Sequence, residues 1–376
     1  MRNLQKYNIT YNTPIQNWDE ALPIGNGKLG CLLYGDGPIR MSLDRVDLWD
    51  TRPHPATLEE GFSYENLLKL VKSGKEEDWK EYQRLFDTIC FEYPYPSKIT
   101  AGRLELDFGE KFDDCLCSSV DLRTATAYVH KADKTVSIES FMSATHYVGV
   151  ARVKGEYKLN IHIPDYISDK EENFGFAYPK AEIIREDGFT YYVQETFTSF
   201  RYGIMVYQKR CKGYDELYFT IFAGERVPGM LESSKNELKA AAKLGYETLK
   251  TQHEGWWKKY WSKSEISIKD ELLEKTYYRS WYLFASCSRR GFYPMPLQGV
   301  WTADNDRVPP WKGDYHHDTN TQLSYQGYLK ANRLEEGRVF IDYLWNMRDT
   351  FRKFAKNHLL PHYLRYRSFY NLLPRL

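Results

Sequence analysis

Near residue 230 the hydrophobic pattern of this chain changes period, from two residues to about three and a half. Before that point, from 102 to 225, short apolar runs alternate with polar turns. "ATAYVHKADKTVSIESFMSATHYVGVARVKG" (125–155) reads as strand, turn, strand and strand, and "GFTYYVQETF" (188–197) and "DELYFTIFAG" (215–224) continue it. A period of two puts apolar side chains on one face of a strand, and many such strands at short spacing specify stacked antiparallel sheets. "GKLGCLLYGDGPIRMSLDRVDLW" (27–49) has the same character, with Gly and Asp at its turns. Residues 57–90 break it: "SYENLLKLVKSGKEEDWKEYQRLFDTI" spaces its apolar residues as a helix does, so one or two inserted helices are expected.

After 230 the pattern is helical throughout. "SSKNELKAAAKLGYETLKTQHEGWWKKYWSKS" (233–264) is expected to start on Ser233 or Ser234 as N-cap. "KDELLEKTYYRSWYLFASCSRRG" (269–291) places Asp270 at a helix start and Gly291 past its end. A loop from 291 to 317 precedes "NTQLSYQGYLKANRLEEG" and "GRVFIDYLWNMRDTFRKFAKN". The expected fold is mixed, β then α. An N-terminal antiparallel β-sandwich covers 1–230 with a helical insertion near 57–90, a helical linker covers 231–265, and a helical domain covers 266–376.

Charge excludes some partners. With 52 Lys and Arg against 51 Asp and Glu, nothing favours nucleic acid or an anionic membrane. No stretch has the eighteen or more apolar residues of a membrane span, and the N-terminus lacks the apolar core of a signal peptide. The six Cys, at 31, 90, 115, 117, 211 and 287, have neither zinc-ribbon nor thioredoxin spacing. They read as reduced thiols, which places the protein in the cytoplasm. The 31 Tyr and 10 Trp offer flat faces with polar tips, which suit sugar rings and ordinary cores alike.

Three motifs then occur in order. "NWDEALPIGNGKLGCLLYG" (17–35) resembles the opening of glycoside hydrolase family 95, the inverting α-L-fucosidases and related α-L-galactosidases. "MSLDRVDLWD" (41–50) sits where that family has its second N-terminal motif. "LQGVWTADNDRVPPWKGDYHHDTNTQLSY" (297–325) resembles its Leu-Gln-Gly-x-Trp, Pro-Pro-Trp and Asn-x-Asn-Thr-Gln run. The resemblance implies a sandwich, a linker and an (α/α)6 barrel that holds the active site. Such a barrel has twelve helices, and about three fit after residue 266, so the barrel is expected to be partial.

An inverting glycosidase needs an acid for the leaving oxygen and a base that activates water on the opposite face of the sugar. In the family, two Asn with a nearby Asp are thought to position the water, and a Glu is the acid. The resemblance assigns the Asn pair to Asp318 and Asn320. Asp318 departs from the pattern, and a carboxylate there could take the proton directly as a general base. Both residues could instead only cap the helix that starts there. Trp301, Trp311, His316, His317 and Gln322 are candidate sugar contacts. Trp301 and Trp311 could equally pin the loop, and Gln322 could bond its backbone. Adjacent His residues point in different directions and lack a third ligand, so no metal is expected. No other cofactor is implied. "IGNGKLG" (24–30) lacks the second half of a phosphate loop and is read as a tight turn that packs against the barrel. Asp44 and Asp47 are read as turn and interface residues.

The expected activity is removal of terminal α-L-fucosyl or α-L-galactosyl residues from a glycan with inversion. A glycoside phosphorylase of the same architecture and a non-catalytic carbohydrate-binding remnant are the alternatives, and oligomeric state is left open. None of Glu195, Glu225, Glu335 and Glu336 falls where the family marks its acid, and Glu335 and Glu336 read as solvent-facing charges. The acid-free tail after Thr350, with periodicity fading beyond Lys356, reads as aberrant. The chain is therefore expected to be truncated, inactive by itself and poorly soluble through exposed barrel faces.

Overall fold

The computed structural model describes residues 3–88, 93–112, 116–165, 178–305, 307–317 and 319–359. Asp318, Cys90, Cys115 and the tail from 360 lie outside the described residues. The order is β then α, as the change of period requires. The chain divides into two compact units, residues 1–48 with 98–339 and residues 49–97 with 340–376.

In the first unit a five-stranded antiparallel sheet runs in the spatial order Lys158–His162, Gly102–Asp107, Ile39–Arg45, Leu29–Tyr34, Leu22–Gly25. A ten-stranded sheet faces it, running from Ile9–Tyr11 through Leu116–Asp121, Thr126–Lys131, Ser137–Met142 and Gly149–Lys154 to Tyr214–Gly224, Arg201–Cys211, Phe189–Tyr192 and Ile183–Glu186, with Gln194–Glu195 also paired to Arg201–Cys211. Ile24, Leu33, Met41 and Leu104 of the small sheet share one buried core with Val129, Ile138, Val153 and Phe219 of the large one. That shared core makes the pair a sandwich.

The large sheet is apolar on both faces. In Tyr214–Gly224, Leu217, Phe219 and Ile221 enter the sandwich core, while Tyr218 and Phe222 point the other way. A sheet with two apolar faces needs a second cover. The helix Val227–Leu244 supplies it through Leu238, Ala241 and Ala242. This helix starts six residues before the expected Ser233. Pro228 in its first turn, where a missing N–H costs nothing, is the start signal, and Ser233 and Ser234 lie inside the helix.

The next helix, Tyr246–Trp261, buries Tyr246, Leu249, His253, Trp257, Tyr260 and Trp261, a stripe at helical spacing. The helix Glu271–Cys287 is capped by Asp270, whose carboxylate accepts from the Leu272 and Leu273 amides at 2.9 and 3.0 Å. It ends at Ser288, before Gly291, because the chain turns extended there. A short helix Asn320–Tyr325 and the long helix Leu334–His358 follow.

In the second unit, Tyr64–Ser73 and Glu76–Tyr82 are the expected inserted helices. Ser63 caps the first by accepting from the Asn66 amide at 3.2 Å, and Gly74 ends it in a left-handed conformation. Phe62 meets Phe86 and His358 at 5.2 and 5.3 Å between ring centres.

His253 gives the first unit an acid-sensitive point. It is fully buried, its Nδ1 accepts the Ala144 amide at 3.2 Å, and its Nε2 lies 2.7 Å from the Thr124 carbonyl. Only a neutral ring with the proton on Nε2 satisfies both contacts. Burial pushes its pKa down to about 3, and the Arg289 charge acts in the same direction. A folded value below the unfolded one means stability that is complete above about pH 6.5 and is lost as pH falls towards 3. Denaturant titrations are expected to show an extra loss of about 1.4 kcal/mol per pH unit in that window. His253→Gln should flatten the slope, and an unchanged slope in that variant would assign the acid loss elsewhere.

Candidate functional site

The three sequence motifs meet at one place, where the loop after the helix Glu271–Cys287 lies on the small sheet. Gly27, at φ +82°, lets the turn between Leu22–Gly25 and Leu29–Tyr34 come against that helix, and its amide donates to the Ser286 carbonyl at 2.8 Å. A Cβ on Gly30 would stand 2.7 Å from Val300 Cγ1 and 2.9 Å from Trp301 Cδ1. The glycines of "IGNGKLG" thus serve close packing against the helical part.

Two side chains, Trp301 and Asp304, tie the loop down. The Trp301 indole N–H donates to the Ile24 carbonyl at 2.9 Å. The buried Asp304 pairs with Arg103 at 2.9 Å and accepts the Tyr34 hydroxyl at 2.7 Å. Asp44 is buried in the strand Ile39–Arg45, 3.6 Å from the equally buried Lys98. Burial pushes the Asp44 carboxyl up to about 7, with Lys98 and Thr302 opposing and Asp304 adding to the rise. Asp47 forms a forked pair with Arg45, at 2.5 and 2.9 Å. Asp44 is therefore a buried strand residue rather than a turn residue.

Beyond this anchor the loop carries the other candidates. Trp311 and Lys312 both have left-handed backbones, with φ of 53° and 57°, and Trp311 is 65% exposed. That conformation is costly for large side chains, and such strain clusters at functional positions. His316 meets the Trp311 ring edge-on at 6.0 Å, and its Nδ1 is 2.7 Å from Asp314 Oδ1. His317 stacks on Tyr315 at 5.3 Å. The two His rings thus have different neighbours. Asn320 is exposed at the first turn of its short helix, and Thr319 holds the N-cap position without a side-chain bond. The Gln322 amide donates to the His317 carbonyl at 2.7 Å, which fixes the loop backbone. The structure brings Trp311, His316, His317, Asn320 and Gln322 into one loop and turns Trp301 towards the sandwich.

Sequence reasoning missed Asp314. Partial burial raises its carboxyl above the ordinary value, with His316 opposing. Desolvation likewise pushes the His317 ring below its ordinary value. Glu336 differs from expectation. It is buried and pairs with Lys263 at 2.9 Å, because the start of the last helix packs beside the end of Tyr246–Trp261. Glu335 is exposed and pairs with Arg290 at 3.1 Å. Glu195 pairs with Arg201 at 3.3 Å.

The loop lies within residues 235–361, which match the glycosyl hydrolase family 95 catalytic domain. Over these residues the chain is similar to the family 95 glycoside hydrolases. Residues 9–181 match the glycosyl hydrolase family 65 N-terminal domain. The chain is 25% identical over 368 residues to a probable alpha-fucosidase A of Aspergillus niger, covering 81% of this chain and 45% of that protein. It is 21% identical over 425 residues to alpha-L-fucosidase 2 of Arabidopsis thaliana, covering 93% of this chain and 50% of that protein. The chain thus spans about half the length of the curated relatives it matches. Among solved structures it is similar to a bacterial glucoamylase complexed with acarbose. That similarity has 12% identity and a TM-score of 0.40, and it covers 91% of this chain and 52% of the other. No described helix is long and apolar enough to cross a membrane.

Proposed function

We propose that this chain contributes the water-positioning part of an inverting glycosidase that removes terminal α-L-fucosyl or α-L-galactosyl groups from glycans. The observation that carries the reading is the match to the family 95 catalytic domain across the strained, exposed loop that holds Trp311, His316, His317 and Asn320. Asp318 and Asn320 hold the attacking water, and Asp318 takes its proton. Trp311 offers an exposed face to a sugar ring, His316 and His317 offer polar contacts, and Gln322 keeps the loop in shape. Trp301 acts through the loop it anchors. The helices after residue 266 form part of an (α/α)6 barrel, following 1–230 as sandwich and 231–265 as linker. The leaving-group acid is not assigned among the described residues.

The test is hydrolysis of aryl α-L-fucoside, α-L-galactoside and β-L-arabinoside, with product anomers followed by NMR. Release of the inverted sugar from one α-L-glycoside is the expected result. Retention of configuration would remove the water-positioning roles. The family 65 N-terminal match favours a second reading, a glycoside phosphorylase, in which phosphate replaces water. Turnover that requires inorganic phosphate would establish that alternative.

A further inference from the structure

A cavity of about 460 Å³ opens in the first unit, between the loop after Met142, the end of the helix Tyr246–Trp261 and the segment after Cys287. Its size is that of a small-ligand site. No residue from 311 to 322 lines it. Four cations do so, Lys259, Lys263, Arg289 and Arg290, against two carboxylates, Glu335 and Glu336.

The pairing among these groups is uneven. Glu336 is committed to Lys263 at 2.9 Å and Glu335 to Arg290 at 3.1 Å. Arg289 is only 7% exposed, yet no carboxylate of a described residue pairs with it. Its Nε donates to the Ala285 carbonyl at 2.7 Å, and its guanidinium lies 3.2 Å from the centre of the Trp256 ring. Its Nη2 is buried with no hydrogen-bond partner among the described residues. Lys259 is exposed at the rim and pairs with no described carboxylate.

A buried guanidinium without a hydrogen-bonded anion is costly, and the ring face and the more distant Glu336 charge return only part of that cost. Burial lowers the Arg289 pKa to about 9, which leaves it charged at neutral pH. Its planar fork suits the two oxygens of a carboxylate, sulfate or phosphate. We propose that this cavity binds a small oxyanion, free or carried on a sugar, with Arg289 as its principal donor and Lys259 as a rim contact. The proposal does not depend on hydrolysis by this chain.

Calorimetric titration at constant ionic strength tests it, with inorganic phosphate, sulfate, glucuronate and neutral glucose as the probes. Saturable binding of at least one oxyanion and none of glucose is expected. Arg289→Met should weaken that binding roughly 10- to 100-fold, as for a lost charge-assisted hydrogen bond. In chloride buffer that variant should melt no lower than the wild type, because it removes an unpaired buried charge. Arg289→Lys keeps the charge but not the fork and should weaken binding about tenfold. Lys259→Ala, at an exposed position, should weaken it about two- to fivefold. If Arg289→Met does not fold, the Lys and Ala variants decide. Glucuronate binding tighter than phosphate would identify a sugar-borne anion, and the reverse order a free one, either supporting the site. Absence of saturable binding by all three anions, or binding unchanged in Arg289→Lys and Lys259→Ala, would overturn it.

Discussion

Replacing Asp318 by Asn is expected to lower turnover by about two to four orders of magnitude, the range of a lost general base. Under the proposed base role of Asp318, an amide at this position cannot hold the proton that the attacking water gives up, so the chemical step slows while sugar contacts persist. The loss should appear in kcat more than in KM, because the proton moves only in the transition state. The acid limb that Asp318 sets in the pH–rate profile should also disappear, and a limb that stays would belong to another carboxylate such as Asp314. Melting should change little, because Thr319 holds the N-cap position of the helix Asn320–Tyr325. The measurement is made in any active enzyme that carries the same His-His-Asp-x-Asn sequence. Unchanged kcat there would remove Asp318 from the base role and leave Asn320 to position the water alone.

The sheets were legible because strand periodicity is local. Leu217, Phe219 and Ile221 announce one buried face within five residues, and the neighbouring Tyr218 and Phe222 announce the other. Helix starts were less legible. Ser233 and Ser234 look like caps, but Pro228 and the need to cover the outer face of the sheet start the helix earlier. Ties between distant residues left no local trace. Asp304 and Arg103 are 201 residues apart, and Glu336 and Lys263 are 73 apart. Arg289 and Arg290 are identical neighbours in the sequence, yet Arg289 is buried against Trp256 and Arg290 is exposed. Trp301 and Trp311 show the same limit at the candidate site. Both are Trp in one loop, and only the position of the Ile24 carbonyl distinguishes the anchored one from the exposed one.

The loop anchor carries the largest expected change in stability. Asp304→Ala should cost the first unit about 3–5 kcal/mol, the range for breaking a buried ion pair by removing one partner. The Asp304 side chain is 2% exposed and that of Arg103 is 12% exposed. Removing the carboxylate leaves the Tyr34 hydroxyl without its acceptor and Arg103 with Glu105 alone, at 2.8 Å. Glu105 is the more exposed partner, so it compensates Arg103 only in part. The loss therefore falls nearer the lower end of the range. Burying an unpaired charge dominates it, so removing both charges should restore most of it. The double variant Asp304→Leu with Arg103→Met is expected to recover at least half of the loss, which separates the charge effect from lost packing. Both variants can be followed by denaturant titration with tryptophan fluorescence, to which Trp301 on the same loop contributes among the ten Trp. A cost below about 1 kcal/mol for Asp304→Ala would mean that solvent reaches the pair and that Trp301 and the close approach at Gly30 hold the loop. If the loop does depend on Asp304, Asp304→Ala should also lower kcat in an active enzyme, because Trp311, His316 and Asn320 lie on the segment that Asp304 secures.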